Sequence, residues 1–191
     1  ALDPDKNVYE YATYDAVVNW VVSQRFTEES FETICIPLLM AFFSSPWAFE
    51  AELERQMEQG VSIEDNLFEN AQKWREMEND MLNNLEDVLA EPYQYSSRII
   101  SIIDFLDQEV EQQKVVLFTN HEQTFAKYKT MLGAYFGEES LALFHKGMAE
   151  DDLELNVYRF QNDGQCFMIL CDETGGEGRN LQSADFVIHI D

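Results

Sequence analysis

Residues 166–181, which read CFMILCDETGGEGRNL, decide the fold. The uncharged run from Cys166 to Cys171 predicts a short buried strand, and the polar, glycine-bearing segment 172–184 predicts the loop that follows it. Glycines at 175, 176 and 178 let the backbone approach a ligand closely and offer N–H groups to a phosphate. The alternative is a turn in which the glycines only permit the backbone conformation that the connection needs. Composition leaves both interpretations open.

The sequence around this run repeats the same pattern of short strands and helices. Three more apolar runs predict strands at 114–119, 141–145 and 186–190. Amphipathic stretches at 122–136 and 151–161 predict helices between them. Strand–helix–strand order at this spacing indicates an α/β fold with a parallel sheet covered by helices. Because ligands bind at the carboxyl ends of parallel strands, the segments to examine are 119–121, 145–147 and 172–180.

The first part of the chain instead contains residues that are typical of helix ends. Ser45 followed by a proline predicts the cap and first turn of a helix that ends at Gly60. Ser62 is the predicted N-cap of one long helix to about residue 89. Pro37, inside an apolar stretch, either opens a new helix or kinks a longer one. The predicted organisation is therefore a helical region at 1–113 and a sheet-containing region at 114–191.

Charge and composition exclude several classes of protein. The 191 residues include 12 Lys and Arg against 37 Asp and Glu, a formal net charge of −25. A surface this negative disfavours electrostatic nucleic-acid binding by this segment alone. No apolar run approaches the ~20 residues that cross a bilayer, and the first residues lack the features of a secretory signal. We therefore expect a soluble, cytoplasmic protein.

Several kinds of site are absent from the sequence. No G-x-x-x-x-G-K-[ST] motif occurs, so the segment has no phosphate-binding P-loop of its own, and the dinucleotide motif G-x-G-x-x-G also fails. Three cysteines without a C-x-x-C pair and three histidines give no zinc spacing, so no metal site is expected. Glu122, Glu173 and Glu177 lack a further group for acid–base catalysis, which is disfavoured.

The residues also resemble a known family. Residues 170–184, LCDETGGEGRNLQSA, are similar to motif V of the Swi/Snf-type branch of superfamily 2 helicases, and most of all to the bacterial RapA-like ATPases associated with RNA polymerase. Residues 114–121 resemble motif IV, and FHKGM at 144–148 resembles the segment that follows it. SSPWAFE at 44–50 is similar to a segment between the two motor lobes. The resemblance implies the second RecA-like lobe, incomplete here, preceded by inter-lobe helices.

The resemblance also implies roles for individual residues. Residues implied to contact nucleic acid are Thr119, Asn120, His121, Lys146, Gly147, Asp172 and Glu173. Residues implied to bind the nucleotide are Gly175, Gly176, Gly178, Arg179 and Asn180. Asp172 departs from the family, since a Thr or Ser usually faces the nucleic-acid backbone there. His121 is a strand contact or a residue of the helix-capping region, and the latter is favoured.

For the parent protein the resemblance implies an ATP-hydrolysing motor that uses ATP with Mg²⁺ and acts on double-stranded DNA, with RNA polymerase or another protein as a partner. The first lobe, and motif VI with its arginine finger (Q-R-x-G-R-x-x-R), lie outside the 191 residues. We therefore expect no catalytic residue and no ATP hydrolysis within this segment alone. The alternative function is a non-catalytic, acidic helical module for protein interaction, attached to a degenerate motor lobe.

Overall fold

The computed structural model of the chain describes residues 5–110, 113–176 and 181–191. By its internal contacts the chain divides into two units, residues 1–104 and 105–191. The predicted domain bounds, 1–113 and 114–191, stay a prediction, because a division by contacts does not show which segment folds independently. None of the helices among the described residues combines the length and apolarity of a membrane span.

The first unit is helical, as predicted, although α7 ends beyond it. Its elements are α1 (Val8–Ser23), α2 (Glu28–Ser30), a π-helical turn (Phe31–Cys35), α3 (Ile36–Ser44), α4 (Pro46–Glu58), α5 (Asp65–Asn83), α6 (Leu85–Ala90), a 3₁₀ turn (Pro92–Gln94) and α7 (Arg98–Glu109).

Aromatic rings fill the core of this unit. The ring of Phe42 lies 5.1 Å from that of Trp74 and 5.5 Å from that of Phe49, centroid to centroid. Trp20 is buried beside them and donates its indole N–H to the carbonyl of Ser62 at 3.3 Å. Rings from α1, α3, α4 and α5 therefore meet in one core.

Pro37 lies in the first turn of α3, inside a segment that is helical on both sides of it. The chain stays helical from Glu28 to Ser44, with the π-helical turn directly before Pro37. Proline has no N–H for the carbonyl four residues earlier, and its ring crowds that carbonyl. This carbonyl belongs to Thr33, and the side chain of Gln56 donates to it at 3.3 Å.

The predicted helix from Ser62 to residue 89 is wrong at its start and in its middle. Glu64 rather than Ser62 occupies the N-cap, without a side-chain hydrogen bond to the helix. The helix breaks at Asn84, whose side chain donates to the carbonyl of Asp80 at 2.8 Å. An asparagine that bonds the local backbone in this way competes with helix continuation, which explains the break.

The second unit has the predicted α/β pattern. After α7 come β1 (Val115–Phe118), α8 (Glu122–Phe136), a 3₁₀ turn (Glu138–Ser140), β2 (Leu141–Phe144), α9 (Glu150–Asn162), β3 (Met168–Cys171), a 3₁₀ turn (Glu173–Gly176) and β4 (Phe186–His189).

The four strands form one parallel sheet in the order β2-β3-β1-β4. Phe118 at the end of β1 is in register with Cys171 at the end of β3, and Cys171 is in register with Phe144 at the end of β2. The carboxyl ends of these three strands are therefore level. The loops that follow them leave the sheet side by side.

Candidate functional site

A pocket of about 520 Å³ opens at the carboxyl ends of the strands in the second unit. Six of its lining residues come from the three level strand ends: Asn120, His121, His145, Lys146, Asp172 and Glu173. The three loops that follow β1, β2 and β3, which the sequence analysis singled out, thus line one pocket. The roles that the family resemblance implies for these residues stay predictions.

Helix α8 supplies the rest of the wall. Glu122, Phe125, Ala126 and Lys129 line the pocket from one face of this helix, at spacings of three and four residues. The ring of Phe125 is buried and meets the imidazole of His145 edge to face at 5.2 Å. The pocket therefore has one aromatic wall.

The carboxylate of Asp172 ties two of the loops together. One oxygen accepts the backbone N–H of Lys146 at 2.6 Å, and the other accepts the backbone N–H of Thr174 at 3.0 Å and its hydroxyl at 2.5 Å. These bonds engage both oxygens of the carboxylate, in a role that a single hydroxyl could not fill. Asp172 fixes the position of Lys146 and starts the turn after β3.

A second carboxylate, that of Asp191, holds the loop after β1. It accepts the backbone N–H of Asn120 at 2.8 Å and the hydroxyl of Thr119 at 3.3 Å. The imidazole Nε2 of His121 lies 3.9 Å from the same carboxylate oxygen. Thr119 is only 1% exposed, so it supports the loop from beneath, and His121 takes the N-cap position of α8 without a side-chain hydrogen bond to the helix.

The pocket carries charges of both signs. Lys129 and Lys146 bring ammonium groups on exposed residues, while Glu122 and Glu173 bring carboxylates. The carboxylate of Asp172 is occupied by the hydrogen bonds described above. Gly147 beside Lys146 has φ +92°, a conformation that other residues rarely adopt, and this orients the loop after β2.

The glycine loop after β3 begins against the sheet. Gly175 is buried, and a Cβ built on it would lie 2.6 Å from the Cβ of Cys171, so only glycine fits there. Gly176 ends the 3₁₀ turn. The other predicted nucleotide ligands, Gly178, Arg179 and Asn180, lie outside the described residues.

Neither a reactive cysteine nor a metal site is supported by the described residues near the pocket. Burial raises the pKa of the Cys171 thiol to about 12, with the negative charge of Asp172 adding to the effect, so this cysteine stays a neutral thiol. Within the part of the chain that the structure describes, no three or more His, Cys, Asp or Glu side chains are placed to hold a metal ion.

The comparison with known families matches the half of the chain that contains this site. Residues 97–191 match the family model described as the helicase conserved C-terminal domain. These residues belong to the helicase C-terminal domain family. The parallel sheet and its strand-end pocket are therefore parts of a helicase domain.

Two solved structures are similar to this chain. The "SWI2/SNF2 ATPase C-terminal domain" of Sulfolobus solfataricus is 19% identical at a TM-score of 0.45, and the alignment covers 74% of this chain and 64% of that one. The "C-terminal part of Fun30 ATPase domain" is 16% identical at a TM-score of 0.57, covering 98% of this chain and 72% of that one. The second likeness supports a common fold, that of a RecA-like C-terminal lobe.

Sequence reasoning missed several residues of the helicase domain's pocket. The wall formed by α8, and the supports Asp191 and Thr174, had not been predicted. The spacing of Glu122, Phe125 and Lys129 along one face of α8 could have revealed the wall, since this helix starts at the sheet edge. The hydrogen bonds of Asp191 join residues at least 71 positions apart in the sequence, so no local sequence pattern predicts them.

Proposed function

We propose that this chain is part of an ATP-dependent motor of the Swi/Snf type that translocates on or remodels double-stranded DNA. In this proposal it supplies the second RecA-like lobe. The observation that carries the proposal is that the region matching the helicase domain places its three strand-end loops around one pocket. The shared fold with the Fun30 ATPase part supports the choice of motor class. A closer relation to RapA-like proteins stays a prediction.

Within this function, the pocket holds the phosphate backbone of the nucleic acid. Lys146 and Lys129 offer ammonium groups to phosphates, and Asn120 offers an amide on an exposed residue beside them. Thr119 and Asp172 act through the backbone positions that they fix, and Gly147 through the turn that it permits. Because the chain carries 37 acidic residues, binding depends on these local cations rather than on overall charge.

The loop at 175–180 then faces the nucleotide, which is ATP with Mg²⁺ in the parent motor. Gly175 packs the start of this loop against β3. The proposal assigns the phosphate contacts to the backbone N–H groups of the loop and to Arg179. Mg²⁺ bound to a nucleotide takes only one or two protein carboxylates besides phosphates and water. The proposal assigns those carboxylates to the rest of the motor.

The test uses the parent chain extended in both directions to include the remaining helicase motifs. ATP turnover is measured with and without duplex DNA for wild type, Arg179→Ala and Asn180→Ala. We expect turnover that duplex DNA stimulates and that falls at least tenfold in both variants. Turnover that neither variant lowers would contradict the role of the loop.

DNA affinity is measured at several salt concentrations for Lys146→Ala and Lys129→Ala. Each is expected to weaken binding to all sequences alike and to lower the slope of log affinity against log salt by about 1. Arg159→Ala is the matched control, since Arg159 belongs to the same unit but does not line the pocket. An equal effect of all three changes would contradict the assignment of the pocket.

The 191-residue chain itself is expected to show no ATP hydrolysis above the level of a mock purification. No turnover in a well-folded parent chain would favour the alternative, an acidic helical interaction module on a degenerate lobe. A contact with RNA polymerase or another protein remains part of the proposal and is tested separately by binding to the purified polymerase.

A further inference from the structure

Helix α1 carries apolar side chains on two opposite faces. One face, with Thr13, Val17 and Trp20, is buried in the helical unit. The opposite face forms what we call the outer stripe of α1. Its members repeat at alternating intervals of three and four residues: Val8, Tyr11, Asp15, Val18 and Val22.

The outer stripe is exposed along its whole length. The exposed fractions are 55% for Val8, 42% for Tyr11, 37% for Val18 and 78% for Val22. Single exposed apolar residues are common, but four on one helix face, interrupted only by Asp15, favour an interaction surface. Valine is also a poor helix former, so exposed valines do not stabilise the helix. Folding of α1 alone does not explain the stripe.

Asp15 lies at the middle of the stripe, seven residues from Val8 and seven from Val22. Its carboxylate accepts a hydrogen bond from the side-chain amide of Asn19 at 3.1 Å. No lysine, arginine or histidine of the described residues forms an ion pair with it. Once covered, this carboxylate would need a positive partner, because an unpaired buried charge is strongly destabilising.

The same charge argues against a second copy of the chain as the occupant. The two ends of the stripe are equally far from Asp15, so two copies paired end to end of the stripe, parallel or antiparallel, would bring carboxylate against carboxylate. Each copy also carries a formal charge of −25, which opposes association. A lysine or arginine at the centre of a partner helix removes the conflict and fixes the register.

We propose that the outer stripe of α1 docks an amphipathic helix of another protein. The partner helix carries apolar side chains at alternating three- and four-residue intervals and a lysine or arginine opposite Asp15. This proposal does not depend on the motor function, since it rests on the helical unit alone.

The test measures fluorescence anisotropy of labelled 21-residue helical peptides with the 191-residue chain. Both peptides carry the apolar spacing, and they differ only in a central lysine or glutamate. We expect the lysine peptide to bind at least tenfold tighter than the glutamate peptide, and the Asp15→Lys variant to reverse this preference. Val22→Asp should abolish binding. Met57→Asp, at an exposed apolar residue of another helix in the same unit, should leave it unchanged.

Three results would overturn the proposal, provided that circular dichroism shows each variant to be folded. The first is that neither peptide binds the wild-type chain. The second is that both peptides bind equally and Asp15→Lys has no effect, which would indicate unspecific apolar contact. The third is that sedimentation shows a dimer of the chain that Val22→Asp dissociates, in which case a second copy covers the stripe.

Discussion

Two glutamates share the interior of the helical unit with one arginine. Arg98 pairs with Glu10, while Ser97 donates its hydroxyl to Glu78 at 2.7 Å. The side-chain amide of Asn7 donates to Glu10 at 3.0 Å and to Glu78 at 3.4 Å. Burial raises the pKa of both carboxyl groups. The pKa of Glu78 reaches about 7, because burial and the nearby charge of Glu10 outweigh the hydrogen bond from Ser97 and the charge of Arg98.

The raised pKa of Glu78 makes the stability of the helical unit depend on pH. Glu78 has a higher pKa folded, about 7, than in the unfolded chain, about 4.5, so the folded state binds the proton more tightly. Its contribution to the free energy of unfolding is fully present below pH 4.5 and is lost as the pH rises through 7. One pKa unit corresponds to about 1.4 kcal/mol, so the loss is about 3 kcal/mol.

We therefore predict that Glu78→Gln is more stable than wild type at pH 8 and has a flatter stability profile between pH 5 and pH 8. Urea unfolding followed by helical circular dichroism at both pH values measures this. Glu69→Gln, at an exposed position of the same helix, is the control and should follow the wild-type profile. A Glu78→Gln profile as steep as that of wild type would contradict the prediction.

Gly175 has no room for a side chain. An added Cβ would lie 2.6 Å from the Cβ and 2.9 Å from the Sγ of Cys171, so the turn after β3 would have to shift. We predict that Gly175→Ala lowers the stability of the helicase domain by about 1–3 kcal/mol, as overpacking does elsewhere. Faster amide hydrogen exchange in β3 reports the loss. Gly164→Ala, where nothing lies within 4 Å, should exchange like wild type.

At the scale of elements, two serines that look alike in the sequence have different roles. The hydroxyl of Ser45 accepts the backbone N–H of Ala48 at 3.1 Å and caps α4, as predicted. Ser62 was expected to cap α5, but it is exposed and lies before the true cap position. We predict that Ser45→Ala lowers the free energy of unfolding by about 1 kcal/mol, while Ser62→Ala changes it by less than about 0.5 kcal/mol. Equal losses in parallel urea titrations would contradict the assignment.

Local sequence signals predicted most of the elements because the deciding interactions are themselves local. The predicted bounds of α8 match the structure, and those of α9 differ by one residue at each end. The strand runs 114–119 and 186–190 contain β1 and β4, which are shorter because pairing covers four residues of each. The break at Asn84 was missed, since it depends on one side-chain hydrogen bond.

The pocket was predictable only in part. Asn120, Lys146 and Asp172 were found because parallel strands bring their carboxyl ends to one edge of a sheet. The clamp that Asp172 forms on the backbone of Lys146 joins positions 26 residues apart, and the ion pair of Glu10 with Arg98 joins positions 88 residues apart. Glu10 is buried, and since charged side chains are usually exposed, sequence alone gives no reason to bury it.

At the scale of the whole molecule, negative charge dominates. A formal charge of −25 on 191 residues makes the compact state repel itself. Raising the salt concentration from 0.01 M to 0.1 M shortens the screening length from about 30 Å to about 10 Å. We predict that this change raises the melting temperature by about 2–4 °C for each kcal/mol of repulsion removed. Thermal scans in sodium chloride measure it, and sucrose at equal osmolality should not reproduce the shift.

The position of β4 in the sheet has a practical consequence. β4 pairs with β1 on one side, no described strand pairs with its other side, and Val187 on it is 57% exposed. Such an edge strand can pair with a strand of another molecule. Repulsion between acidic surfaces keeps the molecules apart. Salt screens this repulsion, so the same salt that stabilises the fold also favours aggregation. Concentrated stocks should stay clear longest in buffer of low ionic strength at a pH far above the isoelectric point of about 4.2. Turbidity should appear first at high salt concentration or mildly acidic pH.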